Sequence, residues 1–432
     1  MALTWRSLAL VGLGLLAFLL RPAPSTVWWW WLGALAVLVL DWALAPNPST
    51  VSISRRGPAQ VRLGESSTTT LFIVNSGRRG HLRGWLRDAW PPSAGSHPRR
   101  HRLDVPAGER RAAVTTLTPQ RRGDRHADKV TIRLAGPMGL AARQASRVVP
   151  GTVRALHPFG AMRHLPSRIA LLRALDGRSA VRTRGQGTEF DSLRDWVDGD
   201  DVRSIDWRAT ARRQGLVVRT WQPEQHRRVV IVIDTSRTSA ARVGDFPRLD
   251  AAMDAALLLA ALATRAHDDV EVIAADRAVR GRARGNDAPS MLADTMQALA
   301  PVDAALVEAD WSMLATEVAR RGNRRGLVVL LTSLDASVVE EGLLPVLPAL
   351  IAHHRVVLAA VADPAVGELR ERPREDLAAV YDAAAAEHVT GQRTRTAAAL
   401  ASLGVHVIDA APAKLPPTLA DHYLDLKAHG LL

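Results

Sequence analysis

The sequence predicts a multi-domain protein. An N-terminal transmembrane helical hairpin leads into a small β-sandwich-like domain, and a large α/β domain on a doubly wound parallel sheet closes the chain. Three observations carry this. Two long apolar stretches occupy the first 46 residues. The next hundred alternate polar and apolar residues with a period of two and carry the excess positive charge. Beyond residue 226, short continuous apolar runs alternate with helical patterns, as in βα units. The expected segments are therefore 1–46, 47–158, a linker at 159–225, and 226–432. A chain of 432 residues is long enough for two or three domains. There is no cysteine, which excludes disulfides, thiolate metal sites and cysteine nucleophiles.

The first apolar stretch runs from Ser7 to Leu20 between Arg6 and Arg21, only 14 uncharged residues. That is short of the ~20 needed to span a bilayer, although both arginines can snorkel. The second runs from about Val27 to Ala45 and contains one acid, Asp41. Its run Trp28 to Trp31 suits a membrane–water interface. The alternative is a cleaved signal peptide ending near Ser25, since 14 apolar residues also fit an h-region. Either way the bulk of the chain stays on one side. The arginines after residue 54 predict that this side is the cytoplasmic face of the inner (plasma) membrane.

The net charge of +13 is concentrated in one segment: residues 51–150 hold 19 basic and 6 acidic residues. A basic segment next to a membrane anchor fits an anionic leaflet. A nucleic-acid surface is the competing reading, but Trp85 and Trp90 are the only tryptophans among these arginines, and stacking on single strands wants more. Val51 and Ile53, Leu71 and Ile73, and Val130, Ile132 and Leu134 alternate as antiparallel strands with one wet face. Gly136-Pro137-Met138-Gly139 reads as a turn. His81, His97, His101 and His126 read as solvated loop residues rather than ligands.

The linker holds the densest run of unusual residues, Arg184 to Arg212. Acids and arginines alternate there with Trp and aliphatics, and Arg194, Arg203 and Arg208 are placed to pair with Asp195, Asp201 and Asp206. Asp206 and Trp207 are expected to dock the segment onto the α/β domain. The run closely resembles the signature of the bacterial domain-of-unknown-function 58 family. The matching positions are Gly185, Gly187, Glu189 and Phe190, then Leu193 and Arg194. They continue with Gly199, Asp200, Asp201 and Arg203, then Ile205, Asp206 and Trp207, and end at Ala211 and Arg212. Trp196 stands where that family commonly has Tyr. The resemblance implies that a von Willebrand A-like domain follows. It also implies a partner among MoxR-type AAA+ ATPases and a role in the assembly or maturation of other proteins.

The residues support the α/β expectation independently. Val229 to Ile233 is a continuous apolar run, the mark of a strand buried on both faces. Val270–Ala275, Leu327–Thr332, Val356–Val361 and Val405–Ile408 are further strand candidates. Leu249, Met253, Leu257 and Ala260 recur at helical spacing, and Leu415–Leu426 reads as a closing amphipathic helix. In such sheets ligands sit at the carboxyl ends of the strands. The first strand ends in Asp234-Thr235-Ser236-Arg237-Thr238, which resembles the Asp-x-Ser-x-Ser metal-ion-dependent adhesion site of von Willebrand A domains. Asp234, Ser236 and Thr238 would offer hard oxygens to Mg²⁺. Asp335 is the candidate second carboxylate, two residues further along than that site has it. Asp310, before the expected helix Trp311–Arg321, is either a ligand or an N-cap, and the cap is the simpler role.

No His-Glu-x-x-His, Gly-x-Ser-x-Gly or P-loop motif is present. His353 and His354 read as structural, and Glu340 and Glu341 as an exposed helix face. The expectation is a membrane-tethered protein-interaction module without catalytic residues. An enzyme of unfamiliar type, such as a metal-dependent hydrolase, is the alternative, with no small-molecule substrate evident.

Overall fold

The computed structural model describes residues 2–77, 80–179, 189–213, 215–222, 227–320 and 325–432. The chain forms two compact units, Met1–Pro158 and Phe159–Leu432.

The first unit opens with strand β1 (Ala2–Leu3) and two helices, α1 (Trp5–Leu20) and α2 (Pro24–Leu44). Arg21-Pro22 ends the first helix, because the residue before proline is pushed out of the helical region. Pro24 then starts the second at a position where its missing N–H costs nothing. The second helix is long and apolar enough to cross a membrane; the first, at 16 residues, is shorter. Trp30 seats its ring over Gly14, where an added Cβ would lie 2.5 Å from the indole, and donates to the Leu10 carbonyl at 3.2 Å. The large apolar side chains of both helices otherwise face outward.

Ten strands follow: β2 (Val51–Arg56), β3 (Gln60–Arg62), β4 (Ser67–Asn75), β5 (Leu82–Asp88), β6 (Arg100–Val105), β7 (Arg110–Leu117), β8 (Gly123–His126), β9 (Val130–Ala135), β10 (Ala141–Arg147) and β11 (Thr152–Leu156). Together with β1 they form a five-stranded sheet β1-β10-β9-β5-β6 and three-stranded sheets β2-β4-β7 and β3-β11-β8. Val51, Leu71 and Ile73 from one sheet bury against Leu86, Leu103, Ile132 and Leu134 from another, a sandwich-like core set by the period-two pattern. Two buried acids lock this unit. Asp88 takes a bidentate pair from Arg55 at 2.7 and 2.8 Å and the Trp90 indole N–H at 2.9 Å. Asp41, near the end of α2, accepts the backbone N–H of Met138, Leu140 and Ala141, each at 2.8 Å. Gly136 makes room for it, since a Cβ there would sit 2.3 Å from the Asp41 carbonyl oxygen. Thr4, just before α1, grips the same turn by donating to the Gly139 and Leu140 carbonyls at 2.7 and 3.1 Å.

The second unit begins with α3 (Leu165–Ser179), then an antiparallel pair, β12 (Glu189–Asp195) and β13 (Val217–Gln222), that encloses the short helix α4 (Trp207–Arg213). The expected irregular linker is therefore a hairpin. Its ion pairs also differ from those expected: Arg194 pairs with Asp200, and Asp206 with Arg219. The reason is register. The turn brings Asp200 back over Arg194, and cross-strand geometry sets Arg219 beside Asp206. Trp207 does not dock, as 65% of its surface is exposed. Asp206 instead accepts from the backbone of Arg208 and Ala209, starting α4. Gly185 and Gly187 lie outside the described residues.

The main sheet has six strands: β14 (Arg228–Asp234), β17 (Asp269–Ala275), β18 (Val279–Gly285), β19 (Gly326–Leu331), β20 (Arg355–Val361) and β21 (His406–Ala410). A two-residue ribbon, β15 (Arg242–Val243) with β16 (Phe246–Pro247), precedes α5 (Arg248–Arg265). The sheet order is β18-β17-β14-β19-β20-β21. Five strands are parallel, and β18 runs antiparallel at the edge, so the sheet is mixed rather than wholly parallel. The sequence reading missed β18 because Val279–Gly285 alternates arginines with small residues and has no apolar run. Its arginines are held by acids instead, Arg280 by Asp276 and Arg284 by Asp269.

Helices α6 (Ala288–Leu299), α7 (Trp311–Ala319), α8 (Leu347–Ile351), α9 (Pro364–Glu371), α10 (Leu377–Ser402) and α11 (Leu415–Ala428) complete the unit. Val230, Val232, Val328, Leu330 and Leu358 pack against Trp311, Leu314, Leu347 and Leu400 in one core layer. The alternate residues Val229, Ile231 and Ile233 are equally buried, and α5 packs on β14, β17 and β20. Helix α11 is anchored by a buried cluster: Tyr423 donates to Asp268 at 2.5 Å, and Lys427 reaches the same carboxylate at 3.4 Å. Burial pushes the Asp268 carboxyl up, against the opposing pull of Lys427 and Tyr423.

Candidate functional site at the carboxyl edge of the main sheet

Parallel strands β14 and β19 end side by side, which brings Asp234 and Thr332 to the same edge. Asp234 is fully buried. Its Oδ1 accepts the Ser236 backbone N–H at 2.8 Å, closing a tight turn. Its Oδ2 accepts the hydroxyls of Thr332 at 2.6 Å and Thr238 at 3.2 Å. The Ser236 hydroxyl lies 3.2 Å from that of Thr238, and Ser239 donates to the Asp234 carbonyl at 2.6 Å. One carboxylate and three hydroxyls therefore converge at the end of a central strand.

Asp234, Ser236 and Thr238 thus come together as their spacing predicts, and Thr332 joins them although it was not among the expected ligands. It was identifiable in principle as the first polar residue after the apolar run of β19. Asp276 was also missed. It follows β17 much as Asp234 ends β14, and it accepts the Thr235 hydroxyl at 3.1 Å from the loop between Asp234 and Ser236. Burial alone would raise its carboxyl. The Arg280 guanidinium and the N–H groups of Arg277 and Ala278 outweigh that and hold it below the ordinary carboxylate range.

The other two expected ligands have different partners. Asp310 caps α7, accepting from the Ser312 hydroxyl at 2.6 Å and the Met313 N–H at 2.9 Å. Those two donors keep its carboxyl low. Asp335 lies beyond Ser333, whose hydroxyl accepts its backbone N–H at 3.5 Å, and it adds to the field that Glu308 sets up around Arg237. Among the described residues, no group of three or more His, Asp or Glu side chains converges as a metal cluster.

The Asp234 set still suits a hard cation in part. Its donors are all oxygens, and hydroxyls can turn their protons away to present lone pairs. With a single carboxylate the set is weak in charge. A small crevice beside it is lined by Thr238, Ser239, Thr332, Ser333 and Arg248. The Nε of Arg248 is buried and, among the described residues, has no hydrogen-bond partner.

The family model for proteins of unknown function DUF58 matches residues 192–416, more than half of the chain. The chain belongs to this family. The match takes in most of the β12–β13 hairpin, the Asp234 loop and the whole six-stranded sheet of this DUF58 protein. No curated protein matches it. Among solved structures, a CARDB domain from Pyrococcus furiosus in complex with di-metal ions is 13% identical. That match covers 25% of this chain and 91% of that one, with a TM-score of 0.17. An α2-macroglobulin fragment from Escherichia coli is 20% identical over 26% of this chain and 17% of that one, at 0.18. A GH20 exo-β-N-acetylglucosaminidase from Vibrio harveyi is 9% identical over 74% and 80%, also at 0.18. At such TM-scores the likeness extends to neither fold nor function.

Proposed function

We propose that this DUF58 protein is a membrane-anchored protein-interaction module whose α/β sheet, read as von Willebrand A-like, presents a cation-assisted docking point for an acidic side chain of a partner. One observation carries the reading: the hydroxyls of Thr332 and Thr238, with Ser236 beside them, gather on the Asp234 carboxylate at the carboxyl edge of the parallel strands. That edge is where open α/β sheets bind their ligands. Asp234, Ser236, Thr238 and Thr332 would hold Mg²⁺, with waters and the partner's carboxylate filling the remaining positions. The partner proposed from the family resemblance is a MoxR-type AAA+ ATPase, and the role is assembly or maturation of other proteins. In this reading α2 with α1 is the anchor and the bulk of the chain lies on the cytoplasmic side of the inner membrane, a reading supported by the basic residues that follow α2.

The test is capture of partners by the full chain from detergent-solubilised membranes, with and without chelator, alongside calorimetric titration with Mg²⁺ and Mn²⁺. Divalent-dependent recovery of an AAA+ ATPase, lost in Asp234→Ala, supports the reading. Absence of divalent binding together with chelator-resistant capture removes the cation.

A further inference from the structure

We infer that the first unit holds a headgroup site for an anionic phospholipid, in a groove between the start of α1 and the outer face of the five-stranded sheet. The inference rests on reading the helical hairpin as membrane-inserted, and it adds a specific ligand to that reading.

The period-two pattern of β5 sends Leu82 and Leu86 into the core and turns Arg83, Trp85 and Arg87 outward. Register does the rest. Trp85 lies opposite Arg102 of β6 on one side and Arg133 of β9 on the other, so an indole is flanked by two guanidiniums across three strands. Gly84 allows these strands to approach, since a Cβ there would lie 1.9 Å from the Arg133 carbonyl oxygen. The chain's own start walls the groove. Strand β1 pairs with β10, and the Arg133 guanidinium donates to the Leu3 carbonyl. Thr4 is bonded to the β9–β10 turn, which sets Trp5 and Arg6 at the rim.

The result is a concave space of about 730 Å³ lined by Arg6, Arg83, Arg102 and Arg133 with Trp5 and Trp85. Its volume is in the range of small-ligand sites. The one acid among these lining residues is Asp104, whose Oδ1 is 3.2 Å from His81 and 3.8 Å from Arg83. The two tryptophans leave 74% and 53% of their surface exposed. Four arginines call for an anion, and the guanidinium fork matches the oxygens of a phosphate.

Location selects the source of that phosphate. The groove sits at the root of the apolar hairpin, where α1 leaves the sheet and begins its exposed leucines. For an inserted hairpin this is headgroup depth, where indole is favoured. A free phosphate would satisfy the arginines but would leave Trp5 and Trp85 without a partner. A phospholipid puts its phosphate among the arginines and its glycerol and upper acyl carbons against the indoles.

The experiment uses the full chain in nanodiscs of equal parts phosphatidylglycerol and phosphatidylcholine, with retained lipid read by native mass spectrometry. Vesicle flotation is run in parallel. The wild type is expected to float and to retain phosphatidylglycerol over phosphatidylcholine. The double variant Arg83→Gln/Arg102→Gln is expected to float but to lose that preference by roughly ten- to thirtyfold. The pair Arg62→Gln/Arg111→Gln, on strands outside this sheet, is expected to keep it. Equal retention of both lipids by the wild type overturns the site while leaving the anchor intact. An equal loss in the control pair also overturns it, by revealing diffuse attraction. Displacement of the lipid by inorganic phosphate or by an oligonucleotide, at concentrations where soluble glycerophosphoglycerol has no effect, overturns it in favour of a soluble ligand. Failure of the wild type to float removes the membrane reading itself.

Discussion

Two buried aspartates, one in each unit, are both fully bonded, but by different kinds of donor. Asp41 accepts three backbone N–H groups of one turn. Asp234 accepts one backbone N–H and two hydroxyls. Backbone donors are fixed by the chain and cannot be redirected, so Asp41 acts as a rivet between α2 and the β9–β10 turn. Hydroxyl donors rotate at little cost and can become acceptors toward a cation. Equal burial therefore does not mean equal constraint; the donor type separates a carboxylate whose partners are fixed from one whose partners can be redirected.

The largest predicted effects test the rivets. Asp88→Ala strands the buried Arg55 guanidinium and is expected to cost ~3–5 kcal/mol. Asp41→Ala leaves three turn amides without an acceptor and is expected to cost about 3 kcal/mol or more. Thermal melting of the full chain in detergent checks both. Protease sensitivity of the β9–β10 turn is expected to rise in Asp41→Ala alone. A melting temperature unchanged by Asp41→Ala would erase the contrast with Asp234.

Asp234→Ala is expected to cost less, roughly 1–3 kcal/mol, because Thr238 and Thr332 can turn to other acceptors. Its main consequence is loss of divalent-dependent partner capture while the fold persists. If Asp234→Ala melts the second unit as severely as Asp88→Ala melts the first, the carboxylate is another rivet. Thr332→Val then sharpens the comparison. It keeps the shape of the residue and removes one hydroxyl, and it should weaken divalent binding with a stability change near 1 kcal/mol. A smaller effect still is expected for Trp207→Ala. With most of its ring in solvent, the melting temperature should move by less than the equivalent of ~0.5 kcal/mol.

How much of this was legible beforehand follows from which residues signal in one dimension. The apolar run Val229–Ile233 announced a central strand, because only a strand covered on both faces can afford it. Gly136-Pro137-Met138-Gly139 announced a turn. Asp234, Ser236 and Thr238 lie in one loop, so their spacing alone brings them together. Thr332 and Asp276 directly follow other strands, β19 and β17; only the strand order of the sheet sets them beside the Asp234 loop. Strand β18 was hidden because it is an edge strand whose arginines are neutralised by acids elsewhere in the chain. Asp41 looked like a lone acid in an apolar helix, and its partners lie about a hundred residues away. Trp207 misled for the opposite reason: a tryptophan in a dense motif suggests burial, whereas here it stands on the surface.

The last prediction sets the conditions under which the two aspartates can be compared fairly. His422 stacks on His406 with ring centroids 3.8 Å apart and planes 5° from parallel. Burial, followed by the neighbouring His406, pushes the His422 imidazole down to about 4. An unfolded histidine titrates near ~6.5. Between these values the unfolded chain binds a proton that the folded chain refuses, so stability rises with pH across this window and falls on acidification. Above ~6.5 both states are neutral at this position and the group adds no pH dependence. The second unit should therefore lose melting temperature progressively from about pH 6.5 downward, and the slope should flatten in His422→Phe, which keeps a stacked ring without a titrating nitrogen. Because the ring is only partly buried, the effect is smaller than that of either rivet. A slope unchanged in His422→Phe would trace the acid sensitivity to His354 and His406 instead, whose imidazoles burial also pushes down. Divalent titrations of Asp234 would then have to be repeated at each pH before any loss of binding below pH 6.5 was assigned to the site.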